Sequence, residues 1–418
     1  MDFNKINLHL KIIRRCCKRT KRGIAIIATF KRSRYPHVYP RDIASVCKTL
    51  KFLTRIKQFS EQAYKLLEGC AKFMCSVQSK SGRWGQRYSI SGFDRSIYKQ
   101  EDNNAHGSLI ILYYLLVSYK LNLKIKNEKK FVVSIVNGLN YAINNYFNKD
   151  VGLFYSTTAI HESVLEKGYS IWVNFAYWHA LNLVKELHKY TKYKKALEPL
   201  INFRDNFDKQ LKKSFIQDER FIARICNGKV DLRPDITLLS PFYFNYKPRK
   251  ILENSVRFIR KQLWDSELNL IQRYMPVQND LAYHLHAGYG PWIQYSSILA
   301  QYYFWSKRFN EGDEILRLID GYATKRGYLP EHVSTEARFK EFIKNEWKTG
   351  LDFKKEFDPE ILLPHIDFDK IIEELFYMKQ SYDRIRKRLG KHKNNIIKFG
   401  IPLVWSHSEY INALIMKD

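Results

Sequence analysis

NAHGSLIILYYLLVSYKLNLKIKNEKKFVVSIVNGLNYAINNYF, residues 104–147, holds two helices and the joint between them. The first, 104–120, is very apolar. The second, 131–147, repeats its apolar residues with the 3.6-residue period of a helix and stops at the turn Asn148-Lys149-Asp150-Val151-Gly152. The same arrangement recurs along the chain. Helices are expected at 42–58, where Asp42 could act as the N-cap, and at 60–80, with Ala63, Leu66, Leu67, Cys70 and Phe73 on one face. More follow at 170–190, 193–212, 248–264 (with Pro248 near its first turn), 292–305, 310–324 and 406–416. Strand signals are weak: 23–30 and 87–90 are short and could pair locally.

The links within these pairs are short, and those between pairs are long: 81–102, 151–169, 230–244, 271–291 and 327–336. Long loops in a compact domain are usually functional. A ring of helix hairpins puts alternate loops on one face, so that face is the expected site. The fold class is all-α, a toroid of paired helices. Residues 1–34 are set apart as a basic N-terminal segment whose short strands could pack on the barrel. Residues 35–418 make the barrel, with a charged helical insertion at about 335–398.

Composition narrows the function. Hydrophobic residues make up 45% of the chain and aromatic residues 15%, enough for a large core and an aromatic-lined cavity. The net charge of +29 permits nucleic-acid binding, but only 11–34 is a dense basic run, so no specific nucleic-acid partner is expected. The six cysteines, at 16, 17, 47, 70, 75 and 226, form no CxxC spacing; free thiols in a reducing, cytoplasmic setting are expected. No apolar run is long enough to span a membrane. His284 and His286 lack a nearby acidic third ligand, so neither a metal nor another cofactor is expected.

The chemistry-bearing residues sit in the long loops. Arg41 and Asp42 follow a proline-fixed turn and offer donors and acceptors side by side, which suits sugar hydroxyls. Trp84 could stack on a ring, and Gln100 and Asp102 could read hydroxyls. A carboxyl at Glu162, if set in an aromatic pocket, would have a raised pKa and serve as a proton donor near neutral pH. Glu331, after Pro330 in the loop behind a helix, is the second carboxylate.

Taken in order, these segments resemble glycoside hydrolase family 15, the glucoamylase-like enzymes, and above all its short archaeal-type members. The resemblance rests on YPRD (39–42), GRWGQRY (82–88), QEDN (100–103), HES and GYS (161–163 and 168–170), RY (273–274), PW (291–292), LPE (329–331) and PLVWSHSEY (402–410). It implies an (α/α)6 barrel and inverting, exo-acting release of glucose from an α-linked gluco-oligosaccharide or disaccharide. Inversion needs an acid and a base roughly 6.5–9.5 Å apart. By resemblance Glu331 is the base and Glu162 the acid. Glu166 is the alternative acid, because His161 stands where the family has Trp and the gap to Gly168 is long. Arg41 and Asp42 match the pair that holds the terminal sugar; Trp84, Gln100, Asp102, Arg273 and Trp292 match other pocket positions. Trehalose cleavage, or sugar binding without chemistry on the same scaffold, are the other readings.

Overall fold

The computed structural model describes residues 1–30, 35–97, 99–158, 160, 167–274, 290–342, 380, 383–391 and 395–418. Twelve helices among them form two concentric rings. The inner ring consists of α2 (Pro40–Leu53), α4 (Asn103–Lys120), α6 (Ile171–His188), α8 (Ser240–Tyr243, preceded by a 3-10 turn at Ile236–Leu239), α10 (Ile293–Trp305) and α12 (Val404–Met416). Each packs on the next, and α12 packs on α2, so the ring closes. Outside it lie α3 (Ser60–Val77), α5 (Glu128–Tyr146), α7 (Lys194–Ser214), α9 (Arg249–Leu263), α11 (Phe309–Tyr322) and α1 (Phe3–Cys16). This is an (α/α)6 barrel.

The sequence assigns helices to the two rings by how far round they are apolar. Every residue from Asn103 to Ser118 of α4 is buried, and α10 is buried along nearly its whole length, because neighbours surround them. On α9 only Leu252, Ser255, Val256, Ile259 and Leu263 are buried, a single stripe at helical spacing with Lys and Arg outward.

Two ring members differ from expectation. Residues 1–34 contain a helix as well as strands. Asp2 caps α1 by accepting from the Lys5 N–H at 2.9 Å, and Ile6, His9, Leu10, Ile13 and Cys16 pack inward, against α12 among others. The sixth outer position is therefore filled by the first helix, packed on the last, and the Met1 amino group meets Asp418 at 2.6 Å. The strands Cys17–Thr20 and Gly23–Ile26 follow as a hairpin lying on α3. The second difference is α8. Its segment lay in an expected loop, yet Ile236 to Tyr243 are all buried and fill the fourth inner position in two short turns.

The other strands are short ribbons in the loops that lead into the inner helices. One pairs His332–Thr335 antiparallel with Ile396–Phe399. This ribbon, with the Glu336 N–H donating to the Asn395 carbonyl at 2.7 Å, brings the two ends of the intervening segment together directly after Glu331. Most of the charged segment lies outside the described residues. No helix among the described residues is long and apolar enough to cross a membrane.

His9, His106, His179 and His407 are buried in this architecture, and burial is the first cause holding each below the ordinary imidazole range, His9 down to about 4. The unfolded chain takes up these protons near pH 6.5, roughly the free imidazole value. Stability should therefore be full above about pH 6.5 and fall as the pH drops from there towards 4, by up to about 1.4 kcal/mol per histidine per pH unit. Thermal denaturation followed at pH 7.5, 6 and 5 should show the midpoint falling by several degrees, and a flat profile would contradict the neutral burial of these rings.

Candidate active site

The loops entering the inner helices gather at one mouth of the barrel, and there they enclose a cleft of about 690 Å³ counted to its open rim. Its walls mix charge, amide and aromatic groups. Arg41 and Asp42 come from the first turn of α2, Gln86 and Gln100 from the loop before α4, Arg273 and Trp292 from the loop before α10, and Glu331 from the loop after α11. Tyr35, Tyr39, Tyr295 and Trp405 supply rings. Below them the barrel is filled: Trp405 packs on Tyr295 and Trp172, and Trp172 on Tyr243 and Phe244, with centroids 4.9–5.9 Å apart. The cleft is a blind pocket rather than a channel.

Asp102 is fully buried at the start of α4 and does not reach the cleft. It accepts two nitrogens of Arg41 at 3.0–3.1 Å, His106 Nε2 at 3.2 Å and Trp172 Nε1 at 2.9 Å. Burial alone would raise its pKa, but the Arg41 guanidinium and the donors from His106 and Trp172 outweigh it and hold the carboxyl below its usual range. Its role is to fix Arg41, which does line the cleft. Reading hydroxyls directly, the expectation for Asp102, is excluded by its burial.

Trp84 is the clearest correction. It is 1% exposed, and its indole nitrogen donates to the Met74 carbonyl at 2.9 Å. A β-carbon at Gly107 or Gly138 would lie 2.5 or 2.2 Å from the ring, so these two glycines make the slot that holds it. The ring is core between α4 and α5, not a sugar platform.

Glu331 is held from several sides. Tyr35 donates through its hydroxyl to Oε2 at 3.1 Å, and His332 Nδ1 lies 3.5 Å from the same oxygen. Its backbone N–H donates to the Phe399 carbonyl, and its own carbonyl accepts from Ile293, both at 2.9 Å. A β-carbon at Gly400 would come within 3.2 Å of Oε2, and the backbone there has φ +56°, so any larger residue would disturb the carboxylate. Behind it Trp292 stacks on His332 at 4.7 Å and His332 on Phe399 at 4.3 Å, with the Arg273 guanidinium over Trp292 at 4.4 Å.

Glu162, Glu166, His284 and His286 lie outside the described residues. The loop that carries the two glutamates is nonetheless tied at its base. Ser156 and Gly168 exchange both backbone hydrogen bonds at 2.9 Å. Glu101, buried beside Asp102, accepts from Ser156 Oγ, Thr157 Oγ1 and the Thr157 N–H at 2.6–3.0 Å; burial raises its pKa against these donors. Arg273 donates to the Ile160 carbonyl at 2.6 Å, and Ile160 lines the cleft. Sequence reasoning passed over Glu101, Tyr35, Gln86, Gln294, Tyr295 and Trp405. All stand inside or beside the motifs it quoted, and the signal that could have found them is this clustering. No group of metal-ligating side chains occurs among the described residues.

No family model matches the sequence, and no curated protein matches it. Solved structures do match its fold. A protein described as a wild-type glycosidase aligns over 100% of this chain and 99% of its own, with TM-score 0.61 and 14% identity. A bacterial glucoamylase complexed with acarbose aligns over 99% of this chain and 55% of its own (TM-score 0.62, 14% identity). Glucoamylase from Saccharomycopsis fibuligera covers 99% and 94% (TM-score 0.61, 13% identity). At such identities the likeness is one of fold.

If Trp84 is core, Trp84→Ala should lower stability by about 3–5 kcal/mol, seen as a shifted denaturation midpoint. Weakened sugar binding at unchanged stability would return the ring to the pocket.

Proposed function

We propose that this chain is an inverting, exo-acting α-glucoside hydrolase in which Glu331 is the general base. The observation that carries the reading is a buried carboxylate, Glu331, on the wall of a blind pocket that also presents Arg41, Asp42, amides and ring faces. Such a mixture suits a polyhydroxylated ring: carboxylates and guanidinium groups pair with hydroxyls, and aromatic faces cover the C–H faces of the sugar. The fold likeness to glucoamylases, one of them solved with acarbose, supports the same substrate class. A pocket blocked below by Trp405, Tyr295 and Trp172 admits a glucan by its end, which favours exo-acting release; that the end is the non-reducing one is part of the proposal.

In this mechanism Arg41 and Asp42 hold the terminal sugar, with Gln100, Arg273 and Trp292 around it. Glu331, oriented by the Tyr35 hydroxyl, takes a proton from a water that attacks the anomeric carbon. An acid on the other side protonates the leaving oxygen. Glu162 is assigned that role, with Glu166 as the alternative. Ile160 on the pocket wall, two residues before Glu162, supports an acid delivered by this loop. The two carboxyls would stand roughly 6.5–9.5 Å apart, leaving room for the water, so the sugar is released with inverted configuration. The six free thiols fit a cytoplasmic location.

Maltose, isomaltose, trehalose and soluble starch should be offered to the purified protein, with free glucose and its anomer read by proton NMR. At least one should yield glucose of inverted configuration, and Glu331→Gln should cut turnover by about 10²–10⁴-fold with the fold intact. Calorimetric binding with no hydrolysis by the native protein would favour a binding protein instead. Retained configuration would remove the base role.

A further inference from the structure

Three backbone atoms of the segment leading to Glu331 are held by the first turn of α12. The Leu329 carbonyl accepts from the Leu403 N–H at 3.1 Å, the Pro330 carbonyl from Ser406 Oγ at 2.7 Å, and the Leu329 N–H donates to His407 Nε2 at 3.1 Å. The last bond fixes the protonation of His407. Since Nε2 accepts, a neutral His407 carries its hydrogen on Nδ1. That Nδ1 lies 2.7 Å from Nδ1 of His9, on α1. His407 must therefore donate there and His9 accept, with its own hydrogen on Nε2. Both rings are buried, 3% and 0% exposed. The result is a directed chain: Leu329 N–H to His407, His407 N–H to His9.

We propose that His407 and His9 are positioning residues for the Glu331 loop, and that turnover therefore depends on the amino-terminal helix. The inference rests on the assignment of Glu331 as the base. A base must be held to within a fraction of an ångström of its water, and a side chain anchored through buried hydrogen bonds is held better than one on a free loop. The pair works only while neutral, because an added proton would set two N–H groups facing each other across 2.7 Å. The surroundings keep it neutral. Lys5 from α1 and Tyr410 from α12 both bond Asp320 of α11, at 2.6 Å each, so that carboxylate is occupied; Tyr410 also packs its ring on His9 at 4.6 Å, and Asp2 acts on His9 from the start of α1. Burial, with Lys5 assisting and Asp320 and Asp2 opposing, keeps the His9 ring unprotonated down to about pH 4.

The test compares His9→Leu, which removes the acceptor, with His9→Gln, whose side-chain carbonyl can replace it. Two quantities are measured at pH 7: hydrogen exchange of the Leu329 amide, and kcat and KM on whichever glucoside the native protein cleaves. The expected result is faster exchange at Leu329 and a kcat lowered about tenfold in His9→Leu at nearly constant KM, the loss of roughly one buried hydrogen bond, with both restored in His9→Gln. Unchanged Leu329 exchange in His9→Leu overturns the proposal, and so does an unchanged kcat in an active enzyme. Equal losses in both variants also overturn it, since they would mean the ring only fills space. If the native protein cleaves no glucoside, the assignment of Glu331 fails by itself, and the exchange comparison still decides whether the two histidines hold the loop.

Discussion

The mouth of the barrel is organised around one buried negative charge. Asp102 starts α4, yet its partners come from three inner helices: Arg41 from α2, His106 from α4 and Trp172 from α6. A carboxylate with no solvent is tolerable only when its oxygens are fully bonded and a cation lies beside it. Taking away one partner of such a pair typically costs about 3–5 kcal/mol, because the other charge is left buried alone. The N-terminal ends of these helices are thus obliged to meet, and the obligation sets the position of Arg41 on the pocket wall. Trp172, held by the same carboxylate, carries the stack that closes the floor. The place of Arg41 on the pocket wall and the Trp172 stack of its floor both lean on this one group.

Much of the fold could be read from the apolar period. Ten of the ring helices fall where the sequence put them, with ends moved by a few residues, as helix ends commonly are. The two that escaped have physical reasons. In α1 the inward stripe of Ile6, His9, Leu10 and Ile13 is interleaved with Lys5, Lys11, Arg14 and Arg15, so charge hides the period, and one of its inward residues is a histidine. The α8 segment is short, carries Pro241 in its first turn and begins as a 3-10 turn; its burial comes from its neighbours and not from its own length. Neither reason can be weighed before the ring is assembled.

The site shows the same division. Arg41, Asp42, Gln100, Arg273, Trp292 and Glu331 were each expected at the pocket and line it. They belong to loops, and loop position is legible from spacing. Trp84 belongs to an equally suggestive loop and points the other way. What turns it inward is Gly107 and Gly138, remote in sequence, whose missing side chains leave a slot of indole width. A motif supplies the residue, but the space around it is supplied by parts of the chain the motif does not contain.

The segments around the two proposed carboxylates are tied in by different sets of bonds. On one side Glu331 is fixed through its own backbone, through Tyr35, and through the α12 turn that grips Leu329 and Pro330. On the other, the described residues next to the segment that carries Glu162 and Glu166 are held by the Ser156–Gly168 bridge, by Glu101 and by Arg273. If Glu331 is the base, as proposed, it must meet a water whose position the protein itself defines, so rigidity is useful there. Glu101 and Arg273 then have a shared purpose: one sits beside Asp102, the other over Trp292, and each carries the order of the pocket floor or wall outward to the loop. On the proposed reading, buried groups at the pocket thus hold the described residues flanking the Glu162 segment, as the α12 turn holds those before Glu331.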